Sequence, residues 1–179
     1  MTTDRFWTRL RTLLPDADLV VVPAPAPPAV LADDDRRLRA ERDAQRVLVG
    51  SWRAASIDLP APPAYRWRWS AVVDPADAQV VATASVPLPP GGDEGRADEV
   101  RRALDAAGWA VSSRRHPASV RAVAPPGHHA AGHALHAFAH EASASWFVVV
   151  TGPAVPVGAE AVATLSSRGY QDPPWDEVP

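Results

Sequence analysis

The chain of 179 residues contains no cysteine, no lysine and only one methionine. Without cysteine there is no disulfide framework, no thiol nucleophile, no Cys-ligated zinc or iron–sulfur site and no lipid-acceptor thiol. Missing lysine excludes Schiff-base and lysine general-base chemistry, and with them the phosphate-gripping lysine of a G-x-x-x-x-G-K-[ST] loop. All 18 basic residues are arginine, and against 21 Asp and Glu they leave a net charge of −3. That balance argues against a strongly basic nucleic-acid binder. Long apolar runs are missing as well. Leu19–Val22 and Trp146–Val150 fall far short of a membrane span of about 20 residues or a secretory core of about 7–15. The expectation is a cytoplasmic chain with no membrane span. No G-x-S-x-G nucleophile elbow occurs.

What is present suits one globular domain over residues 1–179, with 46% hydrophobic and 22% charged residues. Phe6, Leu10, Leu13 and Leu14 recur at i, i+4, i+7 and i+8, which predicts a helix over Asp4–Leu14 ended by Pro15. Residues 15–32 form a proline-rich connector around PAPAPP (Pro23 to Pro28), extended because proline fixes φ and lacks the backbone donor. A second helix opens at Asp33–Asp35 and runs to about Val49, with Ala40, Ala44, Val47 and Leu48 as its apolar stripe. Ile57–Ala64 is a loop with three prolines.

Tyr65-Arg66-Trp67-Arg68-Trp69 alternates strictly, the mark of a half-buried strand. After a turn at Asp74–Asp77, Gln79–Val86 completes a hairpin. Val100, Ala103, Leu104 and Ala107 define a third helix, with Gly108 where a left-handed cap is wanted. Pro90–Gly95 reads as the capped start of that helix, since its acids would repel phosphate. Strands follow at Trp109–Val111 and Val120–Ala124, and Trp146–Val150 suits a central strand buried on both faces. Residues 168–179 read as an extended tail. The expected core includes Leu10, Leu48, Trp67, Trp69, Val100, Leu104, Trp109, Phe147 and Val149.

HHAAGHALHAFAH (His128 to His140) holds five of the six histidines. As a helix it aligns His129, His133, His136 and His140 on one face, and its periodicity slightly favours that reading. As a strand from Gly132 it places Ala134, His136, Phe138 and His140 on one side and Leu135, Ala137 and Ala139 on the other.

The charged helix ending in A-A-G-W-A-V (Ala106–Val111), followed by V-R-A-V-A (Val120–Ala124), G-H-A-L-H-A-F-A-H (Gly132–His140) and W-F-V-V-V-T-G-P (Trp146–Pro153), resembles a group of small actinobacterial lipoprotein-type domains of unknown function. The likeness covers about the C-terminal half, and more loosely the helix and Trp-rich strand before it. In that group a helix and a Gly-Trp lead into three antiparallel strands, which implies that the histidine segment is the middle strand of a meander. This chain lacks the group's signal peptide, its lipid-acceptor Cys and a Cys near Ala154, so membrane anchorage is not implied. The resemblance tips the histidine segment toward strand.

The choice decides the chemistry. On a helix, His129 and His133 at i, i+4, with His136, could share a metal ion. On a strand, residues four apart are about 13 Å apart, too far for one ion. The H-E-x-x-H signature fails, because after His140 and Glu141 the required position is Ala144. A partner-binding role rests on other residues. Arg114, Arg115 and Arg121 form a small basic patch, and Trp175, flanked by Asp172, Asp176 and Glu177, could bury its indole in a partner or fold back on its own domain. Arg66 and Arg68 between aromatics are the outward side of a strand rather than a nucleic-acid surface.

The sequence thus predicts an α+β two-layer sandwich: a mainly antiparallel sheet of about five to six strands with the helices packed on one face. The expected function is a non-enzymatic partner-binding or accessory, immunity-like domain, with no cofactor and another protein as partner. The alternative is a His-dependent metal-binding protein or metallohydrolase using His129, His133 and His136.

Overall fold

Acidic residues start the first helix of the computed structural model, which describes residues 30–54, 63–88, 95–114 and 118–172. The expected helix Asp4–Leu14, most of the proline-rich connector, Leu10, Arg115 and Trp175 lie outside those residues. Helix α1 spans Asp34–Ala54. The Asp33 carboxylate caps it by accepting the Arg36 N–H at 2.8 Å. It continues past Val49 because Ser51 and Trp52 prolong the buried stripe of Ala44, Val47 and Leu48.

Helix α2, Arg96–Ala106, buries Ala97, Val100 and Leu104. Gly108 ends it at φ 85°, a left-handed conformation that costs glycine nothing. The Trp109 N–H returns to Leu104 O at 3.0 Å and the Gly108 N–H to Asp105 O at 2.9 Å, so the last carbonyls are satisfied and Trp109 is turned into the core. Helix α3, Ala159–Ser167, buries Val162 and Leu165.

Among the described residues seven strands form one sheet: β1 (Ala64–Ala71), β2 (Asp77–Pro87), β3 (Ala110–Arg114), β4 (Ser119–Val123), β5 (Ala134–His140), β6 (Ser145–Thr151) and β7 (Val155–Pro156). Their order is β1-β2-β6-β5-β4-β3, with the short β7 paired to β2, and every pairing is antiparallel. The histidine segment is therefore not a helix. Residues 128–133 are a loop, and Ala134–His140 is the middle strand of the meander β4-β5-β6.

Period-two alternation gives the sheet an inner and an outer face. Trp67 and Trp69 on β1, Val80, Ala82, Ala84 and Val86 on β2, Trp146, Val148 and Val150 on β6, Leu135 and Ala137 on β5, and Val120 and Ala122 on β4 point inward. With the buried residues of α1, α2 and α3 they form one core cluster. Helix α1 lies over β2 and β6, α2 over β3 and β4, and α3 over β1. The alanines of β2 are fully buried, and their small side chains let α1 approach the sheet closely. A part-buried polar contact fixes that approach: Trp69 Nε1–H donates to the Glu41 carboxylate at 2.8 Å.

Phe147 and Val149 are not in this core. Antiparallel pairing places Phe147 opposite Ser85 and Phe138, and Val149 opposite Thr83 and His136, all on the outer face. Both are half-buried, and the helical layer covers Trp146, Val148 and Val150 instead. No helix among the described residues is long and apolar enough to cross a membrane.

Candidate functional site

The outer sheet face carries the chemistry, because the strand alternation that sends tryptophans and valines inward sends arginines, histidines and phenylalanines outward. Across the strands one row reads Arg66, Thr83, Val149, His136, Arg121 and Ser112. The next reads Ala64, Ser85, Phe147, Phe138, Ser119 and Arg114. Gln171 adds a single bridge at the β1 edge opposite Trp67, which brings Asp172 beside Arg66 at 3.7 Å and Tyr170 under the Arg68 guanidinium at 4.8 Å.

The aromatic rings form a connected row. Phe138 and Phe147 stack with centroids 5.6 Å apart and planes 14° from parallel. His136 lies 4.8 Å from Phe138, and His140 meets Phe147 edge-on at 5.9 Å. Such pairs are worth roughly 0.5–1.5 kcal/mol beyond their buried area. Two shallow grooves flank the row. One, of about 600 Å³, extends toward β1 past Phe147, Ser85 and Arg66. The other, of about 290 Å³, lies between β3, β4 and β5 and is lined by Ser112, Ser113, Arg114, Ser119, Arg121, His136 and Phe138.

Arg114 and Arg121 are thus brought together, each exposed and with no ion pair to a described carboxylate. The three histidines considered for a metal are kept apart. His129 is exposed on the loop, with its ring against His128 at 4.1 Å. His133 is buried on the helix side of the sheet, its Nδ1–H donating to Ala130 O at 3.0 Å. Its Nε2 lies beside Gly152, buried and with no hydrogen-bond partner among the described residues. His136 projects from the opposite face. No group of three or more His, Cys, Asp or Glu suited to a metal ion occurs among the described residues. His128 serves the fold: its Nε2–H donates to Ala107 O at 3.0 Å, while Nδ1 accepts the Ala130 N–H at 3.1 Å. The first bond ties the loop to the end of α2, and the second braces the loop on itself.

Burial, reinforced by the Arg121 guanidinium across the strand pair, holds the His136 pKa below its ordinary 6.5. Val149 flanks the imidazole on the other side, and Arg114 shares its groove. The unfolded chain protonates this histidine as pH falls through about 6.5, before the folded chain does. Stability is therefore lost from about pH 6.5 downward until the folded-state value is passed, and is constant below it. Changing His136 to Ala is expected to flatten that part of the stability–pH profile in urea titrations. Arg121→Gln is expected to move the His136 C2-proton titration upward by NMR, and an unmoved titration would contradict the placement.

Comparison of the chain with protein-family models, with curated proteins and with solved structures finds no match in any of the three. The architecture is that of a two-layer α+β protein with its helices on one face of an antiparallel sheet. The aromatic row is not legible in the sequence, because Trp146–Val150 is apolar at every position. The signal available is the His136/Phe138 alternation, which marks one mixed face on the neighbouring strand.

Proposed function

We propose that this chain is a non-enzymatic, cytoplasmic partner-binding domain of the accessory type, and that its docking surface is the β3–β4–β5 side of the outer face. The partner is another protein, which presents an extended acidic segment. The observation that carries this is a pair of arginines with no carboxylate partner among the described residues, Arg114 and Arg121, in one groove at an open sheet edge. Strand β3 ends the sheet, and among the described residues nothing pairs with its far side. An added strand can satisfy that row of backbone groups. Acidic side chains at its alternate positions would then lie beside Arg114 and within reach of Arg121, which gives the pairing its selectivity. His136 and Phe138 supply an apolar flank.

Two probes test the reading by fluorescence anisotropy: a labelled decapeptide of alternating Glu and Val, and a labelled fifteen-nucleotide thymidine strand. The peptide is expected to bind and to weaken on the order of tenfold in Arg114→Ala/Arg121→Ala, which corresponds to about 1.4 kcal/mol. Bound carboxylates should also raise the His136 titration. Binding of the thymidine strand with no binding of the peptide would reassign the face to nucleic acid by phosphate contact and base stacking. No binding of either would overturn the assignment.

A further inference from the structure

We infer that the acidic group bound between Arg114 and Arg121 is a phosphate monoester, carried by a phosphoserine or phosphothreonine of the partner's extended segment. The inference rests on the partner reading and names the chemistry that the groove selects.

The groove between β3, β4 and β5 has a regular layout. Antiparallel pairing sets Ser112 directly opposite Arg121, and Arg114 directly opposite Ser119. All four side chains line the groove, so arginines and serines occupy alternate corners of one rectangle on the outer face. Directly opposite pairs on a sheet are about 4.5–5.5 Å apart and diagonal pairs about 7–8 Å. Two guanidiniums on long stems can therefore close on a single group between them. Both arginines are exposed and have no carboxylate partner among the described residues. The Ser112 and Ser119 hydroxyls likewise make no hydrogen bond to another described residue.

A carboxylate is a poor match for that donor set. Its two oxygens are met by one guanidinium fork, which leaves the second of two like charges uncompensated. A phosphate monoester carries about −1.5 to −2 charge at pH 7 and three acceptor oxygens. It balances both guanidiniums and leaves an oxygen for a serine hydroxyl. His136 and Phe138 stand beside Arg121 and Ser119 on β5 and close the groove on that side. Because burial and Arg121 hold the His136 pKa below 6.5, the imidazole adds no third positive charge at pH 7.

The open edge sets the length of the phosphorylated side chain. A strand added to β3 lies about 4.8 Å beyond it. Its residue opposite Ser112 faces the same side, with Arg114 two residues along β3 and Arg121 one strand inward. The short stem of phosphoserine or phosphothreonine leaves the phosphate over Ser112, between the two guanidiniums. The longer stem of phosphotyrosine carries it past them to the side of His136 and Phe138.

Four labelled decapeptides of alternating Thr and Val test this by fluorescence anisotropy, with one central Thr kept or replaced by Glu, phosphoserine or phosphotyrosine. The phosphoserine peptide is expected to bind on the order of tenfold more tightly than the Glu peptide, and the unmodified peptide most weakly. Arg114→Ala and Arg121→Ala are each expected to remove that preference with an unchanged circular dichroism spectrum, since both side chains are exposed. The phosphorus-31 titration of the bound phosphoserine peptide is expected to move below the free value of about 6, because both guanidiniums favour the dianion. Equal binding of the phosphoserine and Glu peptides overturns the inference and leaves the partner reading standing. If the alternating Glu and Val decapeptide and these four all fail to bind, both readings fall. Tighter binding of the phosphotyrosine peptide also overturns the inference. So does free O-phosphoserine that binds as tightly as its peptide, which would assign the groove to a small phosphate monoester.

Discussion

Trp146→Ala is expected to lower the free energy of unfolding by about 3–5 kcal/mol. The side chain is fully buried on the inner face of β6, where it sits between Val86 of β2 and Ala139 of β5. Truncation removes its transfer energy and leaves a cavity that the flanking strands, locked in register on both sides, cannot close. Its neighbour in sequence provides the control. Phe147 is half-buried on the outer face, so Phe147→Ala is expected to cost about 1 kcal/mol through partial exposure of its apolar surroundings. Urea unfolding followed by far-ultraviolet circular dichroism measures both, and equal losses would contradict the assignment of faces. A third variant uses an oddity of the site: Trp146 Nε1 is buried with no hydrogen-bond partner among the described residues. Phenylalanine there removes that unsatisfied donor, so Trp146→Phe is expected to cost under about 1.5 kcal/mol despite the smaller ring.

The second large effect concerns the joint between helix and sheet. Trp69 is almost fully buried, and its Nε1–H donates to Glu41 of α1 at 2.8 Å. Trp69→Ala is expected to cost about 3–5 kcal/mol through lost burial and a cavity. It also strips the half-buried Glu41 carboxylate of its donor. Trp69→Phe keeps an aromatic ring on β1 and removes the N–H together with the second ring, so its cost combines the lost hydrogen bond with some lost burial. That change is expected to cost no less than about 1.5–3 kcal/mol, the range for hydrogen bonds to charged groups. A double-mutant cycle of Trp69→Phe with Glu41→Ala is expected to show a coupling of at least about 0.5 kcal/mol. A coupling of zero would mean that the bond does not hold α1 in place.

Much of the architecture was legible because it is written in local periods. The alternation of Tyr65–Trp69, the i, i+3, i+4 stripe of Val100, Ala103 and Leu104, and the glycine after it each name one element, and each element formed. Antiparallel layering with helices on one face also followed, since hairpin-length connections leave few other ways to cover one apolar face. Two features were not decidable locally. The histidine segment fits 3.6-residue and two-residue periods alike, and pairing with β4 on one side and β6 on the other chose the strand. Trp146–Val150 is apolar throughout, so nothing in it says which residues face the helices. The register with β2, in which Trp146 meets Val86 and Val148 meets Ala84, settled that.

The candidate site divides in the same way. Missing cysteine and lysine excluded whole reaction classes from composition, since a side chain that is absent cannot react. Alternation on β1 announced outward arginines. The gathering of Arg121, His136, Phe138 and Phe147 was invisible in the chain, because it joins three strands whose members lie up to 26 positions apart, from Arg121 to Phe147. Local periodicity is a property of the backbone of one segment and can be read from that segment. Which segments lie side by side, and in what register, depends on the summed burial of all the inner faces at once, and that sum placed the two phenylalanine rings against each other on the outside of the sheet.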